Sequence, residues 1–324
     1  MPSSITTAWV AAVGLALTAA GPARPASAPV TMPGARAFPE SITSTADGTL
    51  YVGSIVEGGI WQVAPGAAEA TPWIEPAAHG TRSIFGVLAD ERAGTLWACS
   101  NDMSWAGIAS PGEGPGSKLM GFDLATGGLK STAALPGAQP FCNDIAVDAN
   151  GRVYASDILA SRVLRLTPDA QSFEVWAADA QLQPEPNQPG VDGLEFGSDG
   201  ALYLTTYGKG ELFRIAVMAD GSAGEVTRLV PSRPLIMPDT LRLLPDGGFL
   251  LVEGGGTLDV VTVAGDQARI ETLAGGFKTP VSVARVDDTA WVAEGQLGHL
   301  FDPALKDQAP QLPFRIVPVP LAGR

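Results

Sequence analysis

A fifteen-residue pattern that recurs without gaps is the feature that most restricts this chain. It reads ESITSTADGTLYVGS from Glu40, NDIAVDANGRVYASD from Asn143, DGLEFGSDGALYLTT from Asp192 and DTLRLLPDGGFLLVE from Asp239. Each copy opens on a polar residue and continues as an alternating apolar strand. It then turns on Asp-Gly, Asn-Gly or a close relative and returns as a second β-rich strand, which is a hairpin signal. Two looser copies follow the same plan: FGVLADERAGTLWACS from Phe85, with a turn one residue longer, and VSVARVDDTAWVAE from Val281.

After each hairpin comes a third strand: GIWQVAP, KLMGFDL, SRVLRLT, GELFRIA, TLDVVTV and GHLFDP. A fourth follows: ATPWI, LKSTAAL, SFEVWAA, EVTRLV, ARIETL and FRIVPVP. Six units of four strands at a period of roughly 45 residues have the size of propeller blades. No long stretch has helical periodicity. The expectation is an all-β chain folded as a six-bladed β-propeller, with four antiparallel strands per blade, in one domain over 29–324. FRIVPVP is assigned the outermost strand of the last blade, and residues around Val30 are the alternative closure. An apolar fraction of 45% supplies a large core, and 39 Gly and 27 Pro without a low-complexity tract read as turn punctuation.

In a propeller the first strand of each blade lines the central channel, so equivalent positions converge on one axis. The opening position reads, around the ring, Glu40, Phe85, Asn143, Asp192, Asp239 and Val281. Carboxylates crowded in a partly dry channel repel one another or take up protons, and a hard cation removes the conflict. Four oxygen donors, Glu40, Asn143, Asp192 and Asp239, suit Ca²⁺, with Mg²⁺, Mn²⁺ or Zn²⁺ as alternatives. The competing reading is that Asn and Asp merely begin turns, but that does not explain a Glu in the same register. Asp144 either orients Asn143 or a bound water, or makes a hairpin-entry hydrogen bond.

Residues 1–28 read as an export signal: AWVAAVGLALTAA, Ala8 to Ala20, is an apolar run too short to span a bilayer, followed by the small-residue pattern ASA at Ala26 to Ala28. The mature chain is then expected in the periplasm or secreted, with no membrane attachment. The two cysteines, Cys99 and Cys142, fall at the same mouth of adjacent blades. There they either form a disulfide or stay as two buried thiols. A net charge of −14 with no basic run argues against nucleic-acid and membrane-surface partners.

At the inner positions the chain resembles the senescence marker protein/gluconolactonase (regucalcin-like) family, related to the paraoxonases and diisopropyl fluorophosphatase. Glu40 in FPES, Asn143 in CND, Asp192 in VDG and Asp239 in MPDT carry the resemblance. It implies a six-bladed propeller with one divalent cation at the channel mouth, and it gives Asp239 the role of general base. Asp192 stands where the family usually has Asn, and Thr240 where gluconolactonases usually have Gly. A paraoxonase-like pair of histidines is absent. His79 lies in a connection between blades, as an exposed loop residue or one overhanging the site.

The implied function is an extracytoplasmic, metal-dependent hydrolase of lactones or related esters, acting as a monomer on a small molecule. Asp239 is the first choice of base, with Asp144 and Asp192 next. Arg82 and Ser83 are candidate substrate contacts, a surface salt bridge being the alternative for Arg82. Phe85 and Trp105 are candidates for an apolar wall, core packing being the alternative. Two other functions fit the same fold. One is a non-catalytic, Ca²⁺-stabilised propeller that binds a ligand or protein; the other is a condensing enzyme resembling strictosidine synthase.

Overall fold

The computed structural model describes residue 1 and residues 28–109, 111–114, 116–168 and 170–321. The expected export signal, apart from its first and last residues, lies outside them. The described chain is built of strands: β1 (Val30–Met32), β2 (Pro39–Ser44), β3 (Leu50–Ser54), β4 (Ile60–Val63), β5 (Thr71–Ile74), β6 (Ser83–Asp90), β7 (Thr95–Asn101), β8 (Ser117–Asp123), β9 (Leu129–Ala134), β10 (Cys142–Val147), β11 (Val153–Asp157) and β12 (Arg162–Leu166). The second half continues with β13 (Glu174–Ala177), β14 (Val191–Phe196), β15 (Leu202–Thr206), β16 (Glu211–Val217), β17 (Ala223–Pro231), β18 (Pro238–Leu243), β19 (Phe249–Glu253), β20 (Thr257–Ala264), β21 (Gln267–Gly275), β22 (Pro280–Val286), β23 (Thr289–Glu294) and β24 (Phe314–Pro320). Among the described residues, helices are confined to single turns, such as Gly298–Phe301.

The strands form antiparallel sheets of four, each meandering outward from its first strand: β2 to β5, β6 to β9 and β10 to β13. The next two groups of four, β14 to β17 and β18 to β21, join into one eight-stranded sheet because their outer strands β17 and β21 pair in parallel over Val230–Gln267 and Pro231–Ala268. The innermost strands β2, β6, β10, β14, β18 and β22 each pack against the next, and β22 returns to β2. This is the radial layout of a β-propeller, with apolar clusters such as Ala146, Tyr154, Val163, Leu194, Leu204 and Phe213 filling the wedge between neighbouring sheets.

The turn chemistry is as expected. Gly48 and Gly247 adopt φ of 89° and 87°, and the preceding Asp47 and Asp246 accept the Thr49 and Gly248 N–H groups at 3.0 Å each. The last sheet is a correction. GHLFDP is not its third strand; Gly298–Phe301 is a helical turn, followed by a connection punctuated by proline. FRIVPVP forms the third strand instead, and β1 supplies the outermost one, giving the order β1-β24-β23-β22. Val30 and Met32 are buried there at 2% and 0% exposure. The chain thus closes its ring with its two ends in one sheet.

A candidate acidic site at one mouth of the channel

All the inner strands start at the same mouth, termed here the site mouth, and all are irregular at the same place. Pairing with the second strand is interrupted between Pro39 and Ile42, Ile84 and Val87, Cys142 and Ile145, Val191 and Leu194, and Pro238 and Leu241. The sixth interruption, between Pro280 and Ser282, is one residue shorter. A bulge bends its strand and re-aims the side chains it carries. The bulges hold Glu40–Ser41, Phe85–Gly86, Asn143–Asp144, Asp192–Gly193, Asp239–Thr240 and Val281, so the polar opening positions of the repeat are bulge residues.

In four of the six inner strands the residue after the opening position joins its sheet to the next. Ser41 Oγ accepts the Val87 N–H at 3.0 Å, Asp144 Oδ2 accepts the Leu194 N–H at 3.0 Å, Thr240 Oγ1 donates to the Val281 carbonyl at 3.0 Å, and Ser282 Oγ accepts the Ile42 N–H at 3.2 Å. In the remaining two bulges the residue is glycine, because the neighbouring backbone fills the space of a side chain. A Cβ at Gly86 would collide with the Asn143 carbonyl, and one at Gly193 with the Asp239 carbonyl.

Position one carries the chemistry. Glu40, Asn143, Asp192 and Asp239 are all buried, at 5%, 6%, 2% and 6% exposure. The Asn143 amide donates to Asp192 Oδ1. Burial pushes the Asp239 carboxyl well above its usual range, and the charges of Asp192, Glu40 and Asp144 add to the rise. Glu40 is raised by burial and then by Asp192 and Asp144, with Arg242 opposing; Asp192 is raised by burial and then by Asp144. Mutual repulsion of this kind requires the acids to share one poorly solvated space. Phe85 and Val281 complete the ring without donor atoms. Among the described residues, no group of three or more His, Cys, Asp or Glu side chains is arranged as a ready metal cage.

Asp144 lies one residue further in. Arg242 grips it through two bonds of 3.1 Å, Nη1 to Oδ2 and Nη2 to Oδ1. The Arg242 guanidinium is in turn the main opposing charge on Glu195, whose carboxyl burial raises to about 7. Arg82 pairs with Asp102 at 2.8 Å, the alternative weighed for it. Ser83 is fully buried, and its hydroxyl makes no hydrogen bond. Phe85 packs edge-on against Phe141 at 4.7 Å, and Trp105, 65% exposed, stands edge-on to Phe141 at 6.3 Å. Aromatic rings therefore lead outward from the ring of opening positions. His79 is exposed and 5.9 Å from the Phe122 ring, away from the acids. Cys99 and Cys142 form a disulfide, with Cα atoms 5.2 Å apart.

Three groups escape sequence reading. Arg242 and Glu195 sit three residues beyond Asp239 and Asp192, in matching columns of the repeat, where an Arg and a Glu in alternating apolar strands were the available signal. Tyr207 follows β15; its hydroxyl is raised by burial and by the charges of Asp239, Asp192 and Glu40. A further column supports the site from behind. The last residue of the second strand accepts N–H groups just before the inner strand: Asp157 from Phe141 at 2.9 Å, Glu253 from Ile236, and Glu294 from Lys278 at 3.0 Å. The residues that follow Ile236 and Lys278, Met237 and Thr279, adopt φ of 53° and 46°. Such left-handed backbone is costly for residues other than glycine and persists only where surrounding contacts impose it.

No protein-family model matches the sequence, and no curated protein matches it. Solved structures do. The major Malassezia sympodialis allergen Mala s 1 superposes with a TM-score of 0.68 at 13% identity, over 89% of this chain and 94% of its own. A putative gluconolactonase gives 0.60 at 15% identity, over 80% of this chain and 86% of its own. A catalytically inactive virginiamycin B lyase from Staphylococcus aureus, solved with quinupristin, gives 0.58 at 15% identity, over 89% and 82%. At these identities the likeness is one of fold, and the fold it establishes is the β-propeller.

Proposed function

We propose that the chain is a six-bladed propeller, counting the eight-stranded sheet as two blades, and that its site mouth is a metal-dependent hydrolytic centre for lactones or related esters. The observation that carries this reading is the burial of Glu40, Asp192 and Asp239 beside one another, each raised well above the usual carboxylate range. Such a set is unstable as three bare anions and suits a hard cation. Asn143 fits the same role once its amide turns by half a rotation to present oxygen in place of nitrogen, two orientations of nearly equal shape. Glu40, Asn143, Asp192 and Asp239 would hold the ion, Ca²⁺ first among the candidates. When bound it would supply the electrophilic polarisation that ester hydrolysis needs.

The remaining chemistry belongs to the side chains. Asp239 is the base that takes the proton from the attacking water. It is better suited than Asp144, whose two oxygens are committed to Arg242 and the Leu194 N–H. Phe85, Phe141 and Trp105 shield the apolar part of the substrate. The putative gluconolactonase among the structural neighbours supports a hydrolytic reading. The disulfide suits an oxidising compartment and supports export.

The test is metal analysis of the purified chain, then a lactone and aryl-ester panel with and without chelator. Hydrolysis that chelator abolishes is the expected result. Asp239→Asn should lower turnover by about 10²–10⁴-fold even at saturating metal. Glu40→Gln should chiefly weaken the metal and recover in excess cation. Activity untouched by metal removal would end the mechanism, and a silent panel with tight Ca²⁺ binding would favour the binding protein.

A further inference from the structure

At the other end of the channel, where the inner strands finish, arginines join the acids. A cavity of about 340 Å³ opens there, with Thr43, Ser44, Leu88, Glu195, Arg242 and Arg285 in its wall. A second cavity of about 250 Å³ adjoins it and shares Leu88 and Glu195. The residues in the wall stand three or more positions along their strands from the site-mouth acids, roughly 10 Å deeper at the rise of a β-strand. The larger volume lies at the small end of the range for ligand pockets.

Two guanidinium groups facing one cavity are unexpected in a chain of net charge −14. Arg242 is already matched to Asp144. Arg285 is not matched in this way: its Nε–H is shielded from solvent and has no hydrogen-bond partner. A buried donor left without an acceptor is costly, and an acceptor supplied from outside relieves it. Glu195 is the acid in the wall of the larger cavity, Asp90 and Glu91 lying with Arg92 in the adjoining one; burial raises the Glu195 carboxyl to about 7, so near neutral pH it opposes an entering anion only in part. Thr43 accepts the Ala89 N–H at 3.1 Å and keeps its own hydroxyl proton for a further acceptor.

We infer that this far mouth is a second binding site, separate from the acidic one, for a small oxyanion, a carboxylate or phosphate group seated against Arg285 and Arg242. A planar guanidinium fork matches the oxygen spacing of both groups.

Inorganic phosphate and acetate should be titrated separately into the full chain, at an ionic strength fixed with chloride, while the arginine Nε–Hε resonances are followed. The expected result is a saturable shift of the Arg285 resonance by at least one of them; the tighter anion identifies the group preferred. Arg285→Gln should weaken binding about tenfold or more, the worth of a charge-assisted bond. Glu195→Gln, which removes the opposing carboxylate, should tighten it. Asp239→Asn, at the opposite mouth, should leave the anion affinity as in the parent. The inference fails if neither anion gives a saturable response, if Arg285→Gln binds like the parent, or if Asp239→Asn abolishes binding.

Discussion

Asp144 links two sheets and balances a charge at once. Its Oδ2 takes the Leu194 N–H from the next inner strand, and both oxygens face Arg242 from the one beyond. Removing one member of a buried pair strands the other without water or partner, which costs about 3–5 kcal/mol, whereas removing both costs far less. Urea denaturation of Arg242→Met should show a loss of that order, and Asp144→Asn combined with Arg242→Met should recover much of it. A simple sum of the two single losses would mean the pair is not coupled. Glu195 gives a separate test through pH. Its carboxyl is raised to about 7 from an ordinary 4.5, so between those values the folded chain holds a proton that the unfolded chain has released. Stability from this group is therefore greatest at low pH and falls as pH rises to about 7. Glu195→Gln should melt near the parent at pH 4.5 and above it at pH 8. Equal melting at both values would show that the carboxyl is not perturbed.

The bulged inner strand is the element on which the site is built. Gly193 has no room for a side chain because the Asp239 carbonyl already occupies that space. Gly193→Ala should push β18 away at its Asp239 end and cost about 1–3 kcal/mol, the usual penalty for overpacking. Site-mouth ligand affinity should fall with it, while Gly200→Ala, at an open turn, should leave that affinity unchanged. The same element shows how far a sequence can be read. The polar opening residues were legible because period-2 alternation and the Asp-Gly turns fix register within each hairpin. The bulges were not, because an irregularity repeated at one place in every copy leaves the alignment intact. Asp144 therefore read either as a group orienting Asn143 or a bound water, or as a hairpin entry, and its pairing with Arg242 was not legible. The support from Asp157, Glu253 and Glu294 lay in one column of the repeat, but the backbone N–H groups that donate to them lie outside the repeat. Arg82 and Ser83 stood near the ring in sequence, yet one is paired to Asp102 and the other is buried. Proximity along the chain did not predict exposure.

The whole ring is tied in two places, and the two ties act differently. One is the last sheet, where β1 pairs with β24 through Val30–Ile316 and Met32–Phe314. The repeat could not decide this closure, since both FRIVPVP and the segment around Val30 have strand character. The other tie is the Cys99–Cys142 disulfide, which crosses from β7 to β10 directly before Asn143 and spans 43 residues of sequence. By the chain-entropy relation a loop of that length stabilises the fold by about 4 kcal/mol, chiefly by restricting the unfolded chain. Its removal should be felt in stability more than in the site, because β10 is also held there by hydrogen bonds. Asn101 Nδ2 donates to the Cys142 carbonyl at 2.8 Å, and the Cys142 N–H donates to Ser117 Oγ at 2.9 Å. Cys99→Ala combined with Cys142→Ala should therefore lower unfolding free energy by several kcal/mol in denaturant. Below the unfolding transition, the variant should bind site-mouth ligand as the parent does. If affinity collapses while the chain remains folded, the disulfide positions Asn143 itself and the hydrogen bonds from Asn101 and to Ser117 do not suffice. If stability is unchanged, the unfolded chain was already restricted between blades two and three, and the entropic account of this bridge is wrong.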